Sequence, residues 1–173
     1  SKVPTLSRSR SGIVPNANQI TIQNLLNMTS GLYSYETDLS FQMSLFLNPL
    51  RQWHPTELIE IAMQHDPLSP PGTQYEYSNT NYVILGLLIE KITGNSLEEE
   101  LRKRFTDPLT LSDTFFGSYV QFPKEGVHGY ADYDEDGELD DYTEYDMSGV
   151  FGTGFGISTA ADLCRWIEGL CAG

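Results

Sequence analysis

The chain has 173 residues, enough for one domain with a modest hydrophobic core. Its 24 acidic and 10 basic residues give a formal net charge of −14, which argues against nucleic acid, anionic membrane surfaces and phosphate-rich ligands as partners. No apolar run is long enough to span a bilayer, so no membrane span is expected in this chain.

The beginning of the chain is predicted to be irregular. Residues 1–18 are rich in Ser, Arg and Pro and lack periodicity, which is typical of a linker or a frayed tail. A short helix is predicted next, over residues 21–28, with Thr21 as its N-cap and Gly31 ending the turn that follows. The residues predicted to face inward are Ile22, Leu25 and Leu26.

Two helices are predicted between residues 38 and 65. The first covers residues 38–47 and is a candidate lid, because Tyr33 and Tyr35 precede it. The second begins at His54-Pro55, since proline suits the first helical position. His54 and His65 are expected to be solvated or to cap helices, because the sequence reveals no carboxylate partner for either. The residues predicted to face inward are Phe41, Leu45, Phe46, Leu58, Ile59, Ala62 and Met63.

The longest predicted helix follows a turn-rich segment, Pro70-Pro71-Gly72, which cannot be helical for long. Its apolar residues recur at helical spacing, and Gly94 is the expected C-terminal stop. The apolar positions are Tyr82, Leu85, Leu88, Ile89 and Ile92.

Tyr77 and Asn79 are the candidate catalytic residues. They lie two positions apart just before this helix, and in an extended segment such side chains point to one side. A helix N-terminus and a nearby lysine would favour the phenolate of Tyr77, which could take a proton from a serine and pass it to a leaving nitrogen. Asn79 can donate to a substrate carbonyl and accept from a lysine or an amide. Taken alone, the pair is more often a packed tyrosine followed by a helix-capping asparagine.

The next predicted helix begins at Ser96, where Glu99 at the third helical position completes a capping box. It is expected to run to about Phe105. Its acidic first turn and basic last turn match the helix dipole, which indicates a solvated face rather than an anion site.

Residues 126–143 are strongly acidic, and their sequence is compatible with two different structures. One is a β-hairpin with Asp136-Gly137 at the turn and tyrosines 130, 133 and 142 on its arms. The other is a calcium loop, because oxygen ligands and a glycine fall at the required positions. The candidate ligands are Asp132, Asp134, Asp136 and Asp140. The hairpin is favoured, because Thr143 cannot act as the bidentate acid at position 12. No cofactor is expected to be required, and calcium is the one ion left open.

The last predicted helix runs from about Ser158-Thr159 to Cys171. Cys164 and Cys171 would lie about 10.5 Å apart along it. That separation exceeds disulfide reach, so both are expected to be free thiols in the core. The predicted buried face consists of Leu163, Trp166, Ile167 and Leu170.

Three stretches resemble the serine β-lactamase-like family, which includes class C β-lactamases, D-alanyl-D-alanine carboxypeptidases and related esterases and D-amino-acid peptidases. They are TIQNLLNMTSGL from Thr21, PGTQYEYSNTNYVILGLLIEKITG from Pro71 and GFGISTAADLCRW from Gly154. Their order and spacing fit the family over roughly residues 13–173. The resemblance implies that Tyr77 and Asn79 belong to the family's second active-site motif.

Two motifs of that family are missing. None of the lysines follows a serine by three positions; the residues three before Lys91, Lys103 and Lys124 are Leu, Glu and Gln, so there is no Ser-x-x-Lys nucleophile. Gly152-Thr153-Gly154 supplies a Thr-Gly pair but no preceding cation. We therefore expect residues 19–173 to be the middle, helical part of a larger hydrolase.

The resemblance implies a mainly α fold: the helical domain of the β-lactamase/transpeptidase-like α+β fold, with one or two short β-hairpins. It implies an acyl-enzyme hydrolase acting on D-Ala-D-Ala peptides, β-lactams, D-amino-acid amides or esters, with this fragment inactive alone. The expected partners are such a substrate and the missing N- and C-terminal parts of the same chain. The expected location is periplasmic or extracellular, although no signal peptide is present. The alternative is a non-catalytic homologue that binds peptide or peptidoglycan.

Overall fold

The structure is a computed structural model, and it describes residues 14–117, 127–132, 136–141, 143 and 146–172. These residues are largely helical, with four strands of two residues each. The helices are α1 (Ile22–Leu26), α2 (Leu39–Leu47), α3 (Pro55–Ala62), α4 (Asn79–Thr93), α5 (Leu97–Leu101), α6 (Asp107–Leu109) and α7 (Ala160–Ala172). A π-helical turn, Arg102–Thr106, joins α5 to α6, and 3-10 turns cover Tyr35–Thr37 and Met147–Val150. The expected fold class is confirmed.

The strands form two antiparallel pairs. β2 (Tyr130–Ala131) and β3 (Asp140–Asp141) make the arms of a hairpin, with Tyr130 opposite Asp141. β1 (Phe115–Phe116) pairs instead with β4 (Gly156–Ile157) across a long insertion. One local hairpin is therefore present, and the second pair is a long-range contact.

Local hydrogen bonds explain where the helices begin and end. Capping boxes start α1 at Thr21, α3 at His54 and α5 at Ser96. Pro55 lies in the first turn of α3, as predicted. Gly94 ends α4 in the left-handed region at φ 75°, which glycine adopts without strain.

α4 lies at the centre of the packing. Its Val83 joins a cluster formed with Tyr35, Phe41, Trp53 and residues of α3, whereas the adjacent Ile84 joins a second cluster with Ile20, Leu25 and Leu32. Because successive residues of α4 face different clusters, the helix is held from two sides. The segment that leads into its N-terminus is therefore attached to a fixed element.

Several predicted inward faces are exposed. Leu163, Trp166, Ile167 and Leu170 of α7 are all at least 38% exposed, and Cys164 and Cys171 are free but exposed rather than in the core. Leu26 of α1 and Phe46 of α2 are also exposed. The prediction that these residues face inward is wrong for the described part of the chain, because an apolar period does not specify what covers the apolar face.

Asp162 is the buried residue of α7. Its carboxylate accepts the Asp113 N–H at 2.8 Å and the Thr114 hydroxyl at 2.9 Å, and Arg165 donates to it at 2.5 Å. These bonds attach the start of α7 to the segment before β1.

The predicted tail lies mostly outside the described residues, so a boundary at residue 18 stays a prediction. Residues 15–19 form turns, in which the Gln19 N–H donates to the Asn16 carbonyl at 2.8 Å. Among the described helices, none is both long enough and apolar enough to cross a bilayer.

Candidate active site

The start of α4 is attached to a segment about 45 residues earlier in the chain. The Thr80 hydroxyl donates to the Tyr33 carbonyl at 2.7 Å and accepts the Tyr35 N–H at 3.2 Å. The buried Ser30 hydroxyl donates to the Asn81 carboxamide oxygen at 2.5 Å. Buried polar groups that are fully bonded hold a single arrangement, so residues 30–35 form a fixed wall beside residues 78–81.

Tyr77 and Asn79 come together at this position. The Tyr77 hydroxyl donates to the Asn79 Oδ1 at 2.8 Å, and Tyr77 is 55% exposed. Asn79 is the first residue of α4, and its neighbour Ser78, not Asn79, is the N-cap. A packed tyrosine followed by a capping asparagine is therefore excluded, because the phenol is open to solvent and the carboxamide faces the phenol.

The described surroundings keep Tyr77 protonated. The pKa of Tyr77 is raised from its ordinary value, first by partial burial and then by the charges of Glu36, Tyr75 and Tyr82. The phenolate expected from the sequence is therefore not favoured by these neighbours, which add negative rather than positive charge. A positive charge placed near Tyr77 would lower this pKa instead.

Two residues near the Tyr77–Asn79 pair are not indicated by any sequence pattern. Ser34 accepts the Asn79 N–H at 2.9 Å, and Glu36, two residues further on, acts on the charge of Tyr77. Burial raises the pKa of Glu36, and a hydrogen bond from Ser34 partly opposes this. The sequence singled out the tyrosines on either side of Ser34, but no local pattern links positions 45 residues apart.

The two tyrosines ahead of α2 pack against other parts of the chain, and a lid role for α2 stays a prediction. Tyr35 is fully buried and donates to the Gly149 carbonyl at 2.8 Å, and burial raises its pKa to about 12. Tyr33 stacks on His65, with ring centroids 3.8 Å apart. His54 caps α3 as expected, whereas His65 has the carboxylate partner that the sequence did not reveal, Asp38 at 2.7 Å.

The described parts of the acidic segment form the predicted hairpin, with Gly137 at φ 90°, whereas Tyr133 and Tyr142 lie outside the described residues. Asp132 accepts the backbone N–H groups of Asp136 and Gly137 at 3.1 and 3.0 Å, so both its oxygens already have partners. Asp134, one of the four predicted calcium ligands, lies outside the described residues. Within the parts of the chain that are described, no three acidic, histidine or cysteine side chains converge as a metal site. Calcium binding by Asp132, Asp134, Asp136 and Asp140 stays a prediction.

The sequence and the fold are similar to those of known proteins. The family model described as Beta-lactamase matches residues 12–172. A D-stereospecific amidohydrolase from Streptomyces sp. superposes with a TM-score of 0.87 at 30% identity, over 98% of this chain and 51% of that one. The D-amino acid amidase of Ochrobactrum anthropi SV3, complexed with L-phenylalanine amide, superposes with a TM-score of 0.79 at 29% identity, over 92% of this chain and 45% of that one.

Curated sequences agree as well. An unguisins hydrolase of Aspergillus violaceofuscus is 30% identical over 107 residues, which is 59% of this chain and 19% of the relative. The chain thus spans about half the length of the solved structures it matches and about a fifth of this curated relative.

Proposed function

The chain belongs to the Beta-lactamase family, and from this premise we propose that it supplies the Tyr77–Asn79 part of the active site of a serine hydrolase. The observation that carries the proposal is the exposed Tyr77 hydroxyl held 2.8 Å from Asn79 Oδ1 at the start of a fixed helix. A proton-transfer group needs this combination of access and rigid placement.

In the proposed mechanism, a serine from a Ser-x-x-Lys motif outside this chain attacks the substrate carbonyl. The lysine of that motif favours the phenolate form of Tyr77. The phenolate oxygen then takes the proton of the serine hydroxyl. Tyr77 then gives the proton to the leaving nitrogen as the C–N bond breaks, and an acyl ester remains on the serine. Water next attacks the ester and loses its proton to Tyr77, and the serine oxygen takes that proton as the acid departs.

Asn79 is proposed to orient the acyl part of the substrate. Its carboxamide offers an N–H donor for a substrate carbonyl, and its oxygen accepts from Tyr77 whenever the phenol carries its proton. Because one side chain contacts both the substrate and the proton carrier, it sets their separation.

The proposed substrates are D-amino-acid amides, D-Ala-D-Ala peptides, β-lactams or simple esters. The two solved proteins above support amides within this set, because their titles describe a D-stereospecific amidohydrolase and a D-amino acid amidase.

The exposed apolar faces support a further part of the proposal, that the remaining N- and C-terminal parts of the same polypeptide are partners of this chain. α7 exposes Leu163 and Ile167, and an apolar groove of about 330 Å³ lies between Phe105, Ile157 and Trp166. Apolar surface of this kind is normally covered in a folded protein. We propose a periplasmic or extracellular location from family membership, and no nucleic acid partner because of the net charge of −14.

A second candidate is a binding protein for peptide or peptidoglycan without catalysis. The reading frame on both sides of this chain distinguishes the two: a Ser-x-x-Lys upstream of residue 1 favours the enzyme, and its loss favours binding.

The test compares this chain with the full-length polypeptide that contains it, using nitrocefin, p-nitrophenyl acetate, D-phenylalanine amide and D-Ala-D-Ala peptides as substrates. We expect the full-length protein to turn over at least one of them and to show an acyl adduct on its motif serine by mass spectrometry. This chain alone should show neither. An adduct on this chain, or a full-length protein that has Ser-x-x-Lys but neither adduct nor turnover, would overturn the proposal.

A further inference from the structure

Two short segments lie side by side at the candidate site. Residues 33–35 and residues 78–80 are joined by four hydrogen bonds that span 45 to 47 positions of sequence. Three of these bonds involve the side chains of Ser78 and Thr80, which bond to backbone groups of residues 33 and 35. The fourth runs in the other direction, from the backbone of Asn79 to the side chain of Ser34.

Ser34 replaces the usual local cap of α4. The N-cap residue, Ser78, makes no side-chain cap bond, because its hydroxyl donates to the Tyr33 carbonyl at 3.2 Å. The Asn79 N–H, one of the four N–H groups that a helix start leaves without an internal partner, donates instead to Ser34 Oγ at 2.9 Å. Ser34 is only 4% exposed, so water does not readily substitute for its hydroxyl.

The hydroxyl of Ser34 has a second use. Burial raises the pKa of Glu36, and Ser34 acts in the opposite direction on that carboxyl group. Ser34 therefore lies between the backbone of Asn79 and the acid that acts on Tyr77.

We propose that Ser34 is a positioning residue for the Tyr77–Asn79 pair: by holding the backbone of Asn79, it fixes the carboxamide oxygen to which the Tyr77 hydroxyl is bonded. This inference rests on the proposed function of Tyr77 and Asn79. The hydrogen bond of Ser34 is to the backbone of Asn79, so Ser34 acts on Tyr77 through Asn79.

Ser30 provides a matched control. It is also buried, lies in the same segment and makes a hydrogen bond across to α4, but its partner is the side chain of Asn81, whereas the Tyr77 hydroxyl bonds to Asn79. Ser30→Ala and Ser34→Ala therefore each remove one buried hydroxyl between the same two segments. Only the second removes a partner of Asn79.

The experiment measures steady-state kinetics of the full-length hydrolase. We expect Ser34→Ala to lower kcat by roughly 10- to 100-fold with KM unchanged, because small displacements of catalytic groups have effects of this size. Ser30→Ala should lower kcat much less at a similar loss of thermal stability. Ser34→Thr, which keeps the hydroxyl, should restore most of kcat.

A second readout follows the site directly. With 13C-labelled tyrosine, the Tyr77 signal is assigned by its absence in Tyr77→Phe. It should move in Ser34→Ala and in Asn79→Ala, and stay in place in Ser30→Ala. If Ser34→Ala does not fold, Ser34→Cys carries the same test, because sulfur is a weaker acceptor of similar size.

The outcomes distinguish a failure of the Ser34 positioning role from a failure of the proposed function of Tyr77. Equal losses of kcat in Ser34→Ala and Ser30→Ala, or an unmoved Tyr77 signal in Ser34→Ala, would overturn the positioning role while Tyr77→Phe remains impaired. Wild-type activity of Tyr77→Phe would overturn the proposed function itself.

Discussion

The imidazole of His65, at the end of the segment after α3, lies 2.7 Å from the carboxylate of Asp38, the residue that caps α2. Hydrogen bonds from Ser40, His65 and the Phe41 N–H lower the pKa of Asp38 to about 2. The pair therefore connects the start of α2 to the segment that follows α3. Its acidic member, the carboxylate of Asp38, takes up a proton at low pH.

The first prediction concerns the acid stability of the chain. The pKa of Asp38 is lower in the folded protein than the value near 4 expected in the unfolded chain. Its stabilising contribution is therefore complete above pH about 4 and is lost as the pH falls toward about 2. We expect Asp38→Asn to be less stable than wild type at pH 6 and to converge with it near pH 2, as measured by urea unfolding. Asp66→Asn, at an exposed acid beside His65, is the control, and an unchanged gap between Asp38→Asn and wild type at every pH would contradict the prediction.

The second prediction concerns Gly31, which has φ 74°, and whose Cβ, if present, would lie 1.9 Å from the Ser69 carbonyl oxygen. Gly94 has nearly the same φ, 75°, with nothing within 4 Å of such a Cβ. Gly94→Ala should cost about 1 kcal/mol through backbone strain alone. Gly31→Ala should cost roughly 3 kcal/mol or more, because the backbone of residues 31 or 69 must move as well. Urea unfolding of the two variants measures the difference, and equal losses would show that the close approach is relieved without cost.

The third prediction concerns the charge on Glu36. This acid raises the pKa of Tyr77, so Glu36→Gln should lower it. The titration of Tyr77 is followed by 13C-tyrosine NMR across the alkaline range. Glu76→Gln, at an acid beside Tyr77 in sequence whose side chain bonds to Gln74, is the matched control and should shift the titration less. If Glu36→Gln leaves the pKa of Tyr77 unchanged, Glu36 does not act on Tyr77.

The fourth prediction tests the proton carrier. In the full-length hydrolase, Tyr77→Phe should lower kcat/KM by roughly 10²- to 10⁴-fold, the range for general acid–base groups. Its melting temperature should change little, because the hydroxyl is on an exposed side chain. Tyr75→Phe removes a hydroxyl from another exposed tyrosine of the same segment and should retain activity. Wild-type kcat/KM in Tyr77→Phe would end the proton-transfer role.

The fifth prediction concerns calcium. Both oxygens of Asp132 already accept backbone N–H groups, and Thr143 at the last ligand position offers no carboxylate. We expect calorimetric titration of the chain with calcium to release no binding heat, and the melting temperature to be the same in EDTA and in millimolar calcium. Heat with a rise in melting temperature, abolished by Asp136→Asn, would instead favour the calcium loop.

The sequence by itself determined the features that depend on neighbours three or four residues apart. Thr21, Pro55 and Ser96 start helices where predicted, and Gly94 ends α4, because caps and turns use hydrogen bonds within one turn. The meeting of Tyr77 and Asn79 follows from the same cause, since two positions in an extended segment share one side.

Only the tertiary structure decided the contacts between distant parts of the chain. The bond from Asn79 to Ser34 spans 45 residues and that from His65 to Asp38 spans 27, and no local pattern selects such partners from the many polar residues available. The exposure of the apolar face of α7 could not be predicted either. The apolar period identifies the face of the helix but not the surface that it packs against. The pKa of Tyr77 is raised first by partial burial and then by the charge of Glu36, and folding sets both of these effects.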